Sequence, residues 1–514
     1  MLPDMLINNV ERRMKILEKG FYKIVDMKRI KLILMLLLLL PLVGGAAFHA
    51  SAQMDPDAVQ PAMAELLRRH STSADTIAKE ISAKFYNSAA MQMALARAYY
   101  RNNERQKTRY YLKRAMAADV KFTPAYIMYG EMYGEWNVDS AAYWYDRAIE
   151  ANPKNPEGYL HYANVMARKD MNKAVAKLEE LRKVDPLYAV DVEISALYSK
   201  QGDDKSAAAA LENVDINTLT MNQLAQYMQN CYWSTYDDRA MEVGEIAMKR
   251  FPGNHGFNRV YAWSAARKGY NREAITNGMI WLKDAPADSI NSIDYLSLGT
   301  AYIGEGQYAK AFEAFEHIKE LKDDYFAPQM PGQIAKAVNR NVEALKDKGD
   351  FNAASDLYSR YITAFPSETN PAYQYYNLAQ IYRSQQEELD GEQRKEVIRK
   401  MFKVYETIEE KYPDWENISY VLYTHARWTY SFFDAENAES LARPYYNRLY
   451  DVLSKKENPT SQEKAMLVEA CQYMASDSYF QKNNLAEARV WWNRILTYDP
   501  TNQSAKDALS KIKK

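Results

Sequence analysis

Between Asp294 and Asp323 the apolar residues fall into two clusters with helical spacing. Leu298, Gly299 and Tyr302 form the first, and Ala311, Phe315 and Ile318 form the second. Each set recurs every three or four residues, as one face of an α-helix does. Gly304-Glu305-Gly306 separates them, and a glycine-bearing break of this kind predicts a tight turn between two antiparallel helices. Gly299 and Ala311 are small at the point where the helices would cross, with Tyr302 and Phe315 filling the space beside them.

The pattern repeats along most of the chain. Ala96, Tyr99, Leu112 and Ala115 take the equivalent places in the first unit, with Thr108 where a smaller residue is usual. Gly130, Tyr133, Ala141, Tyr145, Ala148 and Pro153 occupy them in the second, and Ala163, Met166, Ala174, Leu178, Leu181 and Pro186 in the third. Ser195, Tyr198, Ala207, Leu211 and Val214 mark a fourth unit, and Ala240, Ala247 and Pro252 a fainter fifth. A sixth places Ala262, Ala274, Trp281 and Pro286. The unit-ending prolines 153, 186, 252 and 286 recur at one or two multiples of about 33–34 residues. Proline suits those places because it cannot continue a helix.

A small residue, then Tyr, Ala, an aromatic and Pro at this period resembles the tetratricopeptide repeat. The resemblance covers residues 81–510 and implies an all-α fold. The expected architecture is an α-solenoid of antiparallel helix pairs, a superhelix of about eleven repeats, some of them degenerate. An N-terminal half of the array is expected over residues 81–322, a turn-rich connector over 323–333, and a C-terminal half over 334–514. In that half, helices longer than standard or a polar insert over 384–395 are expected in the ninth unit. Ala426, Ala438 and Tyr445 mark the tenth, and Ala475, Tyr479, Ala488, Trp492, Ile495 and Pro500 the eleventh. The terminal SAKDALSKIKK is expected to cap the open end.

Ahead of the repeats, Lys28, Arg29 and Lys31 precede an apolar run from Leu32, and Ala50-Ser51-Ala52 closes it. That is the anatomy of a secretory signal peptide over residues 27–52, cleaved after Ala52. The alternative is a retained membrane anchor, weakened by Pro41 and Gly44-Gly45 within the run. The first 26 residues fit poorly before a signal peptide and are expected to lie upstream of a true start at Met27. Residues 53–80 are expected to supply a short tail, Met54 to Pro61, and a first helix. An exported protein of the periplasm or periplasm-facing envelope follows, touching membrane only indirectly or through an uncleaved leader.

Charge is balanced, with 66 basic against 67 acidic residues, so no global field draws the chain to nucleic acid. Tyrosine is abundant at 41 copies, which suits helix pairs packed through large aromatics. Cys231 and Cys471 are read as separate buried thiols of leading helices. The histidines are scattered, no zinc-type spacing or nucleophile elbow is present, and Gly304-Glu305-Gly306 follows no strand. No catalytic residue, metal or cofactor is therefore assigned, and an enzyme is not expected.

In the repeat family the leading helix of each pair lines the groove, at positions one and four after the small residue and three before it. This register picks out Arg97, Tyr100, Arg101, Glu131, Asn164, Gln229, Tyr232, Arg259 and Trp263. Farther on it picks out Tyr376, Gln380, Arg383, Tyr423, Arg427, Tyr430 and Tyr479. Tyr376, Arg383, Tyr423, Arg427 and Tyr430 are expected to form one aromatic and arginine patch, of the composition that dominates binding hot spots. The resemblance and the leader together imply a non-enzymatic scaffold or adaptor of the bacterial envelope that holds a partner peptide or helix in its groove. The alternative is a glycan-binding surface protein of a nutrient-uptake system built on the same helices.

Overall fold

Gly130 and Gly299 stand where paired helices come closest. A Cβ on Gly130 would lie 2.4 Å from the Tyr145 ring, and one on Gly299 would lie 2.3 Å from the Phe315 ring. Glycine lets each ring close onto the neighbouring backbone, which is the role the repeat pattern assigns to the small position. A computed structural model describes residues 55–321 and 323–512. The upstream extension (1–26), the leader (27–52) and the first two residues of the tail lie outside them.

Contacts divide the chain into two units, one ending at Leu219 and the other beginning at Thr220. In the first unit α1 (Pro56–Arg68) and α2 (Ala74–Lys84) precede four hairpins. These are α3 (Ala89–Arg101) with α4 (Arg105–Ala118), α5 (Thr123–Glu131) with α6 (Val138–Ala151), α7 (Pro156–Met166) with α8 (Met171–Val184), and α9 (Val190–Lys200) with α10 (Asp204–Ala210).

The second unit holds seven hairpins. The first four are α11 (Met221–Trp233) with α12 (Asp237–Arg250), α13 (Gly256–Lys268) with α14 (Asn271–Asp284), α15 (Ser292–Gly304) with α16 (Tyr308–Glu320), and α17 (Met330–Asp347) with α18 (Phe351–Ala364). Then come α19 (Pro371–Glu387) with α20 (Gly391–Lys411), α21 (Ile418–Phe433) with α22 (Arg443–Leu453), and α23 (Ser461–Ser476) with α24 (Leu485–Tyr498). α25 (Gln503–Ile512) packs on α24 and ends the array. Each unit is an all-α stack of antiparallel helix pairs, the α-solenoid type of architecture.

Local chemistry sets the helix ends. Asn137, Asp170 and Asn484 accept hydrogen bonds from first-turn backbone N–H groups of α6, α8 and α24, which is how side chains cap helix starts. Within most hairpins one residue of the turn is left-handed: Gly202, Gly269, Gly306 and Gly349 have φ between 70° and 84°. Asn103, Thr235 and Asn483 take that conformation in other hairpins, at φ 61°, 63° and 48°. Successive repeats are also tied by charge. Lys169 Nζ lies 2.7 Å from Asp139 and Lys268 Nζ 3.0 Å from Asp238, in each case reaching back 30 residues to the first turn of the preceding second helix.

Several expectations need correction. The stretch from Pro56 is helix, not tail, because Asp55 caps it and Val59, Met63 and Leu66 bury one face. Residues 323–333 do not interrupt the array, since Ile318, Met330 and Ile334 belong to one core. The division falls instead where α10 stops at Ala210 and the chain turns through 211–220. Of the two alternatives for the ninth unit the structure has the long helices, of 17 and 21 residues, and not the separating insert. Ala438 lies in the loop before α22, and Ala442, fully buried, takes the small position beside that helix.

Candidate partner-binding grooves

Within each unit leading helices of successive hairpins pack on one another, α5 on α7 on α9 and α11 on α13 on α15 on α17, and each of three clefts is lined largely from leading helices. The first, of about 440 Å³, collects Arg97, Tyr100 and Arg101 of α3, Ile127, Met128 and Glu131 of α5, and Glu157 and His161 of α7. Gln60 of α1, Met93 of α3 and Pro124 of α5 complete it. Arg97, Tyr100, Arg101 and Glu131 are exposed, as the repeat register requires. His161 leans on the Tyr145 ring at 5.3 Å between centroids. Asn164 is also exposed, and its side-chain oxygen accepts from Lys200 Nζ at 2.7 Å.

The second cleft, of about 260 Å³, belongs to α11, α13, α15 and α17. Tyr232, Trp263, Arg267, Thr300, Lys336 and Arg340 are among its lining residues. Here the expected free groove residues are partly consumed by the fold. Trp263 is only 5% exposed and Tyr232 9%, and the Arg259 guanidinium is half-buried between the Trp263 and Trp281 rings. The cause is a pair of buried carboxylates. Asp294 takes both Arg259 nitrogens and the Trp263 indole N–H, while Asp237 takes Arg267, whose guanidinium lies 4.0 Å from the centre of the Tyr232 ring. Gln229 stays exposed but lines none of the three clefts.

The third cleft, of about 410 Å³, is formed by Tyr373 and Tyr376 of α19, Trp415, Glu416 and Asn417 of the loop before α21, and Ser419 and Tyr420 of α21. Thr460, Gln462, Glu463 and Met466 close its far side. Tyr376 sits 5.7 Å from Trp415 and 6.2 Å from Tyr420, centroid to centroid.

The single patch expected from Tyr376 to Tyr430 is divided. Tyr376 and Arg383 face Tyr420, to whose hydroxyl Arg383 donates at 2.9 Å. That hydrogen bond holds the Arg383 guanidinium above its usual value. Gln380 lies half-buried on the same helix. Tyr423, Arg427 and Tyr430 turn toward α23 instead. The Tyr423 hydroxyl donates to Glu469 at 2.7 Å, Arg427 donates to the Tyr423 oxygen at 3.1 Å, and Tyr430 meets Tyr473 edge-on. Burial first, then Glu469, pushes the Tyr423 phenol up. Tyr479 is half-buried against Trp492.

Sequence reasoning missed Asp237, Arg267 and Asp294. A signal was present: Asn291 and Asp294 stand three apart ahead of an apolar run, and they form a capping box at the start of α15. Arg267 lies 30 residues after Asp237, and Asp294 lies 35 after Arg259, so both pairs join neighbouring repeats. Among the described residues no group of three or more His, Cys, Asp or Glu side chains is placed to hold a metal ion. No helix among them is long and apolar enough to cross a membrane.

No protein-family model matches the chain, and none of the curated proteins matches it. Solved structures do resemble it. The C-terminal part of a TPR repeat-containing protein from Cytophaga hutchinsonii is 21% identical, matching 55% of this chain and 99% of its own, with a TM-score of 0.27. A tetratricopeptide repeat protein from Parabacteroides merdae is 12% identical over 49% of this chain and 98% of its own, with a TM-score of 0.30. Human IFIT1, solved with PPP-AAAA, is 15% identical over 84% of this chain and 95% of its own, with a TM-score of 0.27. The helix-pair architecture rests on the chain's own packing, at Gly130 against Tyr145 and Gly299 against Phe315.

Proposed function

We propose that the chain is an exported, non-enzymatic scaffold or adaptor of the bacterial cell envelope, which holds a partner peptide or helix against its leading helices. The observation that carries this reading is the first cleft, where Arg97, Tyr100 and Arg101 are exposed on a wall of a preformed hollow. Helix pairs present such a surface already ordered, so a partner binds without the cost of folding the site. In-cell crosslinking of the tagged protein followed by mass spectrometry tests it. Recurrent crosslinks from lysines beside the clefts, Lys336 among them, to one envelope protein support the adaptor. The intact mass of the purified protein tests export, with a chain beginning at Gln53 as the expected species.

A glycan-binding reading has one observation of its own. The third cleft joins four aromatic rings to Glu416, Asn417 and Gln462, with no lysine or arginine in its lining. Aromatic faces and planar polar groups suit neutral sugars. Retention on polysaccharide that is lost in Trp415→Ala, with no protein partner recovered, replaces the adaptor with the glycan binder.

A further inference from the structure

We infer that the cleft on α1, α3, α5 and α7 recognises a peptide segment of segregated charge, acidic where it lies over α3 and basic where it lies over α5 and α7. This inference rests on the scaffold reading and names the chemistry of the partner.

Arg97 and Arg101 stand one helical turn apart on α3, and both are exposed. Like charges at that spacing repel. Neither has an ion-pair partner among the described residues, nor does Glu131 of α5 or Glu157 of α7. In the second unit three arginines of the leading helices are paired within the fold, Arg259 with Asp294, Arg267 with Asp237, and Arg427 with Glu469, and the second cleft adds Lys336 and Arg340, charges of one sign only. The first cleft therefore keeps four unpaired charges sorted by sign along the order of its helices. Its floor is apolar, with Met93, Ile127 and Met128 each less than a tenth exposed. Flexible methionines there adapt to a partner's apolar side chains, and Tyr100, 42% exposed, adds a large amphipathic contact.

Charge complementarity then selects the occupant. A uniformly acidic segment satisfies the arginines but is repelled by Glu131 and Glu157. A uniformly basic one meets the opposite conflict. A segment with an acidic end, a central apolar residue or two, and a basic end satisfies both walls at once.

The test uses the full chain and three labelled synthetic peptides, read by fluorescence anisotropy. One peptide has a Glu-rich half and a Lys-rich half flanking leucines, one has the same composition with the charges alternating, and one is uniformly Lys-rich. The block peptide is expected to bind at least about tenfold more tightly than the alternating one, and to weaken as salt is raised. The double variant Arg97→Glu/Arg101→Glu, with helicity checked by circular dichroism, is expected to lose the block peptide and gain the Lys-rich one. That exchange of preference is not a consequence of a purely structural role. Equal affinity for block and alternating peptides, or no change of preference in the double variant, overturns the inference. If it is overturned while crosslinking still recovers an envelope partner at the other clefts, the scaffold reading stands alone. If no peptide binds and no partner is recovered, both fall.

Discussion

Arg259 and Asp294 meet side by side, Nε to Oδ1 and Nη2 to Oδ2, both at 2.8 Å. The carboxylate also accepts the Trp263 indole N–H at 2.9 Å and the Asn291 backbone N–H at 2.9 Å. One side chain, 1% exposed, thus caps α15, anchors α13 and fixes the Trp263 indole in the wall of the second cleft. Removing it leaves a buried guanidinium and an indole donor unpaired. Asp294→Ala is expected to destabilise the second unit by about 3–5 kcal/mol, the range for breaking one partner of a buried ion pair. Urea unfolding followed by tryptophan fluorescence measures it, and a midpoint unchanged from wild type would refute the account.

Two buried glycines separate the effect of space from that of backbone propensity. On Gly299 a new Cβ would press into Phe315, a ring with no exposure that is flanked by Phe312 and Phe365. On Gly278 it would meet Ala262 at 3.7 Å and Leu298 at 3.8 Å, ordinary contact distances. Alanine gains about 1 kcal/mol over glycine in a helix, and overpacking costs about 1–3 kcal/mol. Gly278→Ala is therefore expected to raise stability and Gly299→Ala to lower it. Opposite shifts of the unfolding midpoint are the result to look for.

The hairpins were legible because spacing and size carry them: a small residue facing a large one, often a glycine in the turn, and in many units a closing proline. The α-helical register picks Arg97, Tyr100, Arg101 and Glu131, and all four are exposed in the lining of the first cleft. Tyr232 and Trp263 do line the second cleft but are mostly buried there, which the register does not foresee because it treats each repeat alone. Their burial depends on Asp237 and Asp294, whose partners come from the next or previous repeat. The patch from Tyr376 to Tyr430 failed for a related reason, since α21 shares its aromatic residues between α19 on one side and α23 on the other. The first helix is expected within 53–80 but with its start after Pro61, because it lies outside the repeat signature, although its cap at Asp55 and its apolar spacing from Val59 are both written in the chain.

Thr235 occupies the left-handed turn position between α11 and α12 at φ 63°, where four other hairpins place glycine. A β-branched residue is strained there, since its side chain crowds the backbone. Such strain costs about 1–3 kcal/mol. Thr235→Gly is expected to stabilise the second unit by about 1 kcal/mol, after the greater chain entropy of glycine is subtracted. Thermal unfolding monitored by circular dichroism checks the sign.

The tyrosine content makes the fold sensitive to alkali. Burial pushes the Tyr111 and Tyr145 phenols up to about 12, and it does the same to the Cys231 and Cys471 thiols. Tyr99 and Tyr446 are raised further, again chiefly by burial. In the unfolded chain these groups ionise near their ordinary values, about 8.5 for Cys and about 10 for Tyr. Folding therefore holds protons that the unfolded chain releases, so this contribution to stability is complete below about pH 8.5. It is lost as pH rises through the folded values. Absorbance at 295 nm and far-ultraviolet circular dichroism, recorded together, should show part of the tyrosine ionisation arriving in one step with loss of helix, between about pH 10 and 12. Tyr145→Phe removes one of the raised groups and should move that step to higher pH. Gradual ionisation of all the tyrosines near pH 10 with helicity intact would show that the buried hydroxyls are not held as the packing requires.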